Sequence, residues 1–351
     1  MTEPYLGAWQ IDAERFPHAG GDEERLRFAA RYGRLAPSGH NSQPWFFEIV
    51  GDVLTVKTDP ARALPTIDAD GRELTLTCAG AAQLAALALA RFGYPPVIDL
   101  SFDPSQPDVV ARLRVGAPTQ TPSDHVLFDS ITRRHSNRHG YQRRAVPAKV
   151  LAQLEAAALD HGCWLVPLTD PQVIATAARL IGAGDRVKWR EREFRHELAE
   201  RLIPNSGLRR DGMPGYAFGV PGPLSRWAPE VIRRVNLGHA RSVSDGRLAR
   251  ATPVLLVLGT DDDDRASWVA AGFAMADVLL RAASAGLATG FLSQAIEVPE
   301  LRPRIGELAQ RPGFAQLLLR CGYPTRRPRP SPRRAMEDIV IGPKRLKETS
   351  R

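Results

Sequence analysis

The sequence predicts an α+β protein made of two diverged copies of one unit. Two helical runs of similar pattern are each followed by a short apolar stretch and then by a second strand-like stretch. The corresponding segments are 80–93 and 272–286, 97–100 and 289–292, and 113–116 and 319–322. Because the same helix–strand–strand order occurs twice, we interpret the chain as a tandem duplication.

Small residues dominate both helical runs. Aligning Gly80 with Gly272 also matches Ala82 with Ala274. Such faces permit close approach of a partner helix, as expected where equivalent units pack about a two-fold axis. The alternative is that both are simply alanine-rich core helices.

The composition is that of a soluble globular protein. Apolar residues make up 43% and charged residues 25% of 351 residues, a length sufficient for two cores. We expect no membrane span, because we find no apolar run that approaches the ~18 residues a transmembrane helix requires. The start of the chain lacks the pattern of a signal peptide, so a cytoplasmic protein is predicted.

The net charge of +8 raises the question of nucleic acid. No nucleic-acid-binding motif accompanies it, and the charge is spread along the chain, so no nucleic-acid partner is predicted. Cys78, Cys163 and Cys321 are far apart and read as buried apolar residues. No metal site is predicted, and the acidic run 261–264 is explained by a solvated loop and a helix N-terminus.

Residues 202–227 break the pattern. They contain five glycines and four prolines, which indicates a long loop. Tyr216, Phe218, Leu224 and Trp227 suggest that this loop packs onto something, so a lid is favoured over a linker.

Two motifs carry the chemistry. Residues 36–45 read Ala-Pro-Ser-Gly-His-Asn-Ser-Gln-Pro-Trp and precede a strand-like stretch. Residues 133–141 read Arg-Arg-His-Ser-Asn-Arg-His-Gly-Tyr and precede an amphipathic helix. A third segment, Gly322-Tyr323-Pro324 followed by Arg333-Arg334, ends the second repeat.

Together these motifs resemble the nitroreductase superfamily of FMN-binding flavoproteins, and most closely its Acg-like branch. That resemblance implies a nitroreductase-type fold, with an antiparallel-rich sheet and helices in each repeat, FMN as cofactor, and a lid over the flavin. It implies that the arginine–serine motif and Arg333-Arg334 hold the phosphate and ribityl chain, that the asparagine–glutamine motif lines the isoalloxazine ring, and that residues 292–295 lie near the ring.

The order of the motifs departs from the ordinary family. A first half, 1–125, carries the asparagine–glutamine motif, and a second half, 126–351, carries the arginine–serine motif. Asp160 to Trp164 occupy the place where the second half would hold its own copy of the first motif. A fused pseudo-dimer therefore keeps one complete site, and we predict one FMN per chain.

The residue types suit this assignment. Guanidinium and hydroxyl groups bind phosphate, amides can bond to a heteroaromatic rim, and Gly39 lets the backbone approach a flat ring. The alternative explanation for residues 133–138 is an exposed basic turn. The alternative for Asn41 and Gln43 is that their side chains cap a turn. His40 and His135 are read as structural or ring-adjacent groups, and no catalytic side chain is assigned because the flavin carries the chemistry. The predicted cofactor-binding residues are Pro37, Ser38, Gly39, Asn41, Gln43, Arg134, His135, Ser136, Arg138, Leu292, Ser293, Gln294, Ala295, Arg333 and Arg334.

Two functions follow. The first is an FMN-dependent oxidoreductase that passes hydride from NAD(P)H to a nitro compound or quinone. The second is a non-catalytic FMN storage or sequestration protein whose flavin is covered by the 202–227 loop. The loop separates the two, because a closed lid would block the face that both substrates need.

Overall fold

The structure, a computed structural model, describes residues 6–119, 125–206 and 208–342. The helices are α1 (Asp22–Gly33), α2 (Arg72–Arg91), α3 (His125–Ile131), α4 (Ala148–Leu159), α5 (Pro171–Lys188), α6 (Arg192–Glu200), α7 (Ala228–Arg234), α8 (Gly238–Arg250), α9 (Arg265–Ser284), α10 (Arg302–Ala309) and α11 (Met336–Ile339). The strands are β1 (Trp45–Val50), β2 (Val53–Thr58), β3 (Val97–Asp99), β4 (Val109–Arg114), β5 (Trp164–Leu168), β6 (Leu202–Ile203), β7 (Met213–Pro214), β8 (Val254–Thr260), β9 (Ala288–Phe291), β10 (Phe314–Gly322) and β11 (Val340–Ile341). Gly207, one of the five loop glycines, and residues 120–124 of the first half lie outside the described residues.

Two sheets share one topology. The first has the strand order β11-β1-β2-β4-β3 and the second has the order β5-β8-β10-β9. The strands β1-β2-β4-β3 of the first sheet correspond to β5-β8-β10-β9 of the second. In each set the first two strands form an antiparallel pair, a long helix follows, and β4 or β10 pairs antiparallel with both of its neighbours. The predicted α+β class with two diverged repeats is confirmed by this equivalence.

The equivalent helices α2 and α9 pack directly against each other. Their glycines permit the close approach, since a Cβ on Gly272 would overlap the carbonyl oxygen of Leu76, and one on Gly80 would lie 2.8 Å from Cε of Met275. By length and composition alone, both helices are long and apolar enough to span a membrane. The prediction that no apolar run approaches this length was therefore wrong. Most of their residues are buried in the protein interior.

Several side chains outside the motifs behave as the sequence predicts. The three cysteines are buried. In the acidic run, Asp264 caps α9 by accepting a hydrogen bond from the Ser267 amide, and Asp263 forms an ion pair with Arg302 at 2.6 Å. This run thus serves the helix N-terminus and a partly exposed ion pair.

The repeats differ most between their first two strands. In the first repeat, β1 and β2 are joined by a tight turn, whereas helices α5 to α8 are inserted between β5 and β8 in the second. The 202–227 segment lies within this insertion and is mostly irregular, as predicted, but it also contains β6, β7 and two short 3-10 helices, at Gly215–Phe218 and Gly222–Leu224.

The end of the described chain crosses from one sheet to the other. After β10, residues 323–339 run back to the first sheet, where β11 pairs in parallel with β1 and Phe47 faces Val340. This crossing brings Arg333 and Arg334 next to the asparagine–glutamine motif. The division at residues 125 and 126 stays a prediction.

Candidate functional site

A cavity of about 560 Å³ brings the predicted segments together. This volume is within the range of roughly 300–1,000 Å³ that is usual for ligand pockets. The predicted residues that line it are Pro37, Ser38, Gly39, Asn41, Ser136, Arg138, Leu292, Ser293, Gln294 and Arg333. The predicted residues outside its lining are Gln43, Arg134, His135, Ala295 and Arg334.

The turn that carries the first motif has a strained backbone. His40, Asn41 and Gln43 have φ angles of 48°, 54° and 51°, in the left-handed region that few non-glycine residues adopt. The Ser38 hydroxyl accepts a hydrogen bond from the backbone amide of Gln43 at 3.0 Å and so stabilises the turn. Strain of this kind clusters at functional sites, where the surroundings must stabilise it.

The two amides of this motif bond within the protein. The side-chain amide of Asn41 donates to the carbonyl of Gly212 at 2.9 Å and accepts from Arg333 at 3.0 Å. That of Gln43 donates to the Arg210 carbonyl at 2.9 Å and accepts from the Arg334 backbone amide at 2.8 Å. Both amides thus fasten the 202–227 segment and the C-terminal crossing to the turn, and their role as ring contacts stays a prediction.

Arg333 and Arg334, both predicted phosphate ligands, also bond to groups within the protein. The Arg333 guanidinium donates to the carbonyls of Leu35 and Ala36, both at 3.0 Å. Arg334 donates to the Gln43 carbonyl at 3.1 Å and faces the Asp59 carboxylate at 3.4 Å. Because these guanidiniums already have protein partners, the structure gives them a positioning role, and direct contact with a phosphate stays a prediction.

Trp9 is a component that the motifs did not reveal. Its ring lies 4.6 Å from the Arg333 guanidinium and 5.9 Å from that of Arg134, and it packs edge-on to His135 at 4.3 Å. Its indole nitrogen donates to the Ser331 carbonyl at 2.9 Å. No local pattern in the sequence connects Trp9 with residues more than a hundred positions away.

Arg134 and His135 are buried beneath the cavity wall. One nitrogen of Arg134 donates to the Leu35 carbonyl at 3.0 Å, while Nε and Nη1 are buried without a partner among the described residues. Burial lowers the pKa of Arg134 to about 10, so it stays cationic at neutral pH. Burial, followed by the nearby Arg134 charge, lowers the pKa of His135 to about 3, which keeps it neutral.

Arg138 is the predicted cation that faces the cavity with no carboxylate partner among the described residues. Its one hydrogen-bond contact there is to Sδ of Met213 at 3.5 Å. Burial by the surrounding protein, followed by the nearby Arg241, lowers its pKa to about 10, so the charge persists at neutral pH. Ser136, two residues earlier, also lines the cavity. A free guanidinium beside a hydroxyl is a suitable donor set for a phosphate.

A polar wall on α5 and α8 was missed entirely by the sequence reasoning. Arg241 pairs with Asp245 at 2.9 Å, and Lys188 pairs with Glu297. Asp185 lies three residues before Lys188, in a helix whose buried face is otherwise mostly apolar. The sequence did contain a signal for this wall. Asp185 and Lys188 are charged residues three positions apart on the otherwise mostly apolar face of a helix.

Burial controls the protonation of this wall. Burial, followed by the Asp245 charge, raises the pKa of Asp185 to about 7. Burial lowers the pKa of Lys188 to about 8. Both groups therefore titrate near physiological pH, as is common at functional sites.

We expect Asp185→Asn to stabilise the protein at about pH 8. The folded-state pKa of Asp185 is raised, so its stability contribution is fully present below the unfolded pKa near 4 and is lost as pH rises through about 7. Removing the buried charge should raise the free energy of unfolding by ~1–4 kcal/mol at pH 8 and by almost nothing near pH 4. Thermal unfolding at both pH values measures this, with exposed Asp261→Asn as the control. Equal melting temperatures at pH 8 would contradict it.

Comparison with known proteins supports the resemblance. No family model matches the chain. It is 29% identical over 337 residues to "Putative NAD(P)H nitroreductase Rv3131" of Mycobacterium tuberculosis strain H37Rv, covering 93% of each chain. It is 25% identical to the protein named acg of the same strain, covering 90% of this chain and 94% of that one. It is 22% identical to "Probable NAD(P)H nitroreductase PigM" of a Serratia species, covering 91% and 93%.

A solved nitroreductase with bound FMN from Desulfitobacterium hafniense superposes weakly, with a TM-score of 0.37 and 12% identity over 62% of this chain and 98% of that one. The sequence relatives, by contrast, extend over nearly the whole chain. The resemblance that the motifs indicate is therefore confirmed, and this chain is a relative of nitroreductase-superfamily proteins. The relatives include acg, which is consistent with the Acg-like branch.

Proposed function

We propose that the chain binds one FMN in this cavity and works as a nitroreductase-type oxidoreductase, taking hydride from NAD(P)H and reducing a small nitro compound or quinone. The observation that carries the proposal is Arg138, which has no carboxylate partner among the described residues and faces the same cavity as Ser136 and the strained turn 38–41. The names of the relatives support the same class of reaction.

The residues present fit a flavin mononucleotide. The cavity offers the Arg138 guanidinium and the Ser136 hydroxyl, neither of which is paired with a carboxylate in the part of the chain that the structure describes, and it is large enough for a cofactor of this size.

Within this proposal, Arg138 and Ser136 bind the phosphate, and the 38–41 turn and residues 292–294 form the wall beside the ring. Bound FMN would supply hydride acceptance and electron transfer to the acceptor. Met213, Tyr216 and Phe218 exclude water from the site, because they close the cavity on the side of the 202–227 segment.

A second candidate is FMN storage, and the position of the 202–227 lid favours it. Tyr216 donates from its hydroxyl to the Pro330 carbonyl at 2.8 Å, and the backbones of Asn41 and Gly212 are hydrogen-bonded at 3.0 Å. These bonds hold in place a segment that forms part of the cavity lining, as a lid would require. Leu224 and Trp227, which were expected to pack inward, are instead 59% and 58% exposed, so the expectation was wrong for these two side chains.

FMN should be present at one per chain. The repeat-equivalent position of the first motif lies between α4 and β5, where His161 instead bonds to Asp277 at 2.8 Å. Flavin released by denaturation should be measured by absorbance against protein concentration. Two flavins per chain would contradict the single-site proposal, and a protein that neither contains nor takes up FMN would contradict FMN binding itself.

Anaerobic addition of NADPH to the FMN-loaded protein separates the two functions. Bleaching of the flavin absorbance followed by recovery on adding a nitroaromatic compound supports the oxidoreductase. A stable yellow spectrum supports storage.

A further inference from the structure

The wall formed by α5, α8 and the 3-10 turn Ser293–Ala295 contains one carboxyl group, that of Asp185, whose nearby cations form their ion pairs with other carboxylates. Arg241 pairs with Asp245, and Lys188 pairs with Glu297. Asp185 is only 3% exposed and forms no ion pair with any described residue. Burial raises its pKa and outweighs the nearby Arg241 and Lys188 charges and the Gln294 side chain, which lower it. It lines the cavity, so the uncompensated carboxyl borders the space a ligand would enter.

A second acceptor beside it also lacks a donor. Oδ2 of Asp185 and Oε1 of Gln294 are both buried without a partner among the described residues. The amide nitrogen of Gln294 donates to Asp245 at 3.0 Å, so this donor is shared between the two carboxyl groups. Leaving a buried acceptor unsatisfied costs about 1–3 kcal/mol, so two adjacent ones call for a donor from outside the chain.

The backbone keeps these acceptors from relaxing apart. A Cβ on Gly184 would lie 2.5 Å from the Gln294 carbonyl oxygen, so α5 presses directly on the 3-10 turn. On the other side of α5, a Cβ on Gly182 would lie 2.6 Å from the Ser242 hydroxyl, so α8 is equally close. Tight contacts on both sides fix Asp185 relative to Gln294 and Asp245.

The chemistry of this wall selects the ligand. An ammonium group supplies three N–H donors and one positive charge, which matches two acceptors without a partner among the described residues, one of them an oxygen of the Asp185 carboxylate. A neutral hydroxyl would satisfy one acceptor and leave the charge uncompensated. An anionic group would face Asp185 and Asp245 at close range. Trp189 and Leu248 also line the cavity and provide apolar surface for the rest of the molecule.

We propose that Asp185 and Gln294 form a subsite for the protonated amine of a small organic ligand. The inference deepens the proposed function, on which it rests, because the amine would belong to the electron acceptor.

The test is calorimetric binding to the protein as purified, at about pH 8 and without NADPH. The probes are para-nitrophenethylamine, para-nitrophenethyl alcohol and para-nitrophenylacetic acid, which differ at one group. We expect the amine to bind at least about tenfold more tightly than the alcohol, and the acid more weakly than both. Equal affinities for the three would overturn the subsite.

Variants assign the effect to residues. Asp185→Asn should reduce amine affinity about tenfold or more and leave alcohol affinity unchanged, whereas exposed Asp261→Asn should change neither. Gln294→Leu should weaken amine binding in the same direction, and it serves as a second test if Asp185→Asn does not fold. Undiminished amine binding in Asp185→Asn would refute the assignment. Since binding needs no turnover, a protein that binds amines but never oxidises NADPH would count against the oxidoreductase and not against the subsite.

Discussion

Arg138→Ala should purify with little or no FMN. The guanidinium faces the cavity without a carboxylate partner among the described residues, so the phosphate would be its principal ion-pair partner. Loss of one partner from a buried, charge-assisted contact costs on the order of 2–5 kcal/mol, or roughly 30-fold to several thousand-fold in affinity. FMN titration of the apoprotein, followed by quenching of flavin fluorescence, measures the change.

Arg133→Ala is the matched control. This neighbouring arginine lies outside the cavity lining and donates to the Asp129 carbonyl at 2.8 Å, so its loss should leave FMN affinity unchanged. Arg138→Lys should fall between the two, because it keeps the charge and loses the bidentate geometry. If Arg138→Ala retains FMN with wild-type affinity, the phosphate lies elsewhere. Arg334→Ala is a poorer test, since it would also remove one of the two arginines that pair with Asp59.

A variant with a loosened lid, Asp211→Asn combined with Tyr216→Phe, should oxidise NADPH faster than the wild type. Asp211 forms an ion pair with Arg62 at 2.6 Å, and the Tyr216 hydroxyl bonds to Pro330. Removing two contacts worth about 0.5–1.5 kcal/mol each would increase the open fraction about 5- to 150-fold, and a rate limited by opening would follow it. Anaerobic stopped-flow reduction of the flavin by NADPH measures this.

Leu224→Ala is the control for the lid, because Leu224 belongs to the same segment and points to solvent. Its rate of flavin reduction should equal that of the wild type. A loosened variant that keeps its FMN and is still not reduced would favour storage over catalysis. A wild-type protein that is already reduced rapidly, with no gain in the variant, would show that the lid does not limit access.

The repeats were predictable because their signals are local. Apolar periodicity in α2 and α9, the glycines that end each run, and the strand-like stretches after them are all patterns within a few residues of one another. Their mutual packing also followed from the small residues around Gly80 and Gly272. The residues that join the two sheets carry no such signal, since β11 meets β1 across nearly three hundred positions.

Some features of the candidate site could also be predicted from the sequence, whereas others required the structure. The motifs identified Ser136 and Arg138, which line the cavity, because their residue types already specify phosphate chemistry. The same motifs grouped them with Gln43 and Arg334, which the fold uses to hold the chain together. A sequence pattern records which donors exist, but only the packed structure decides which of them already have partners.

The amino-acid sequence alone determined the α+β class, the duplication, the family resemblance and the segments that meet at the cavity, because each depends on local periodicity or on a contiguous motif. The tertiary structure alone decided the inserted helices, the fastening of the lid, and the uncompensated Asp185. Those features depend on burial and on distances between residues far apart in the chain. A carboxyl group in a helix gains its chemical meaning only when the surrounding protein removes water from it and pairs the nearby cations with other carboxylates.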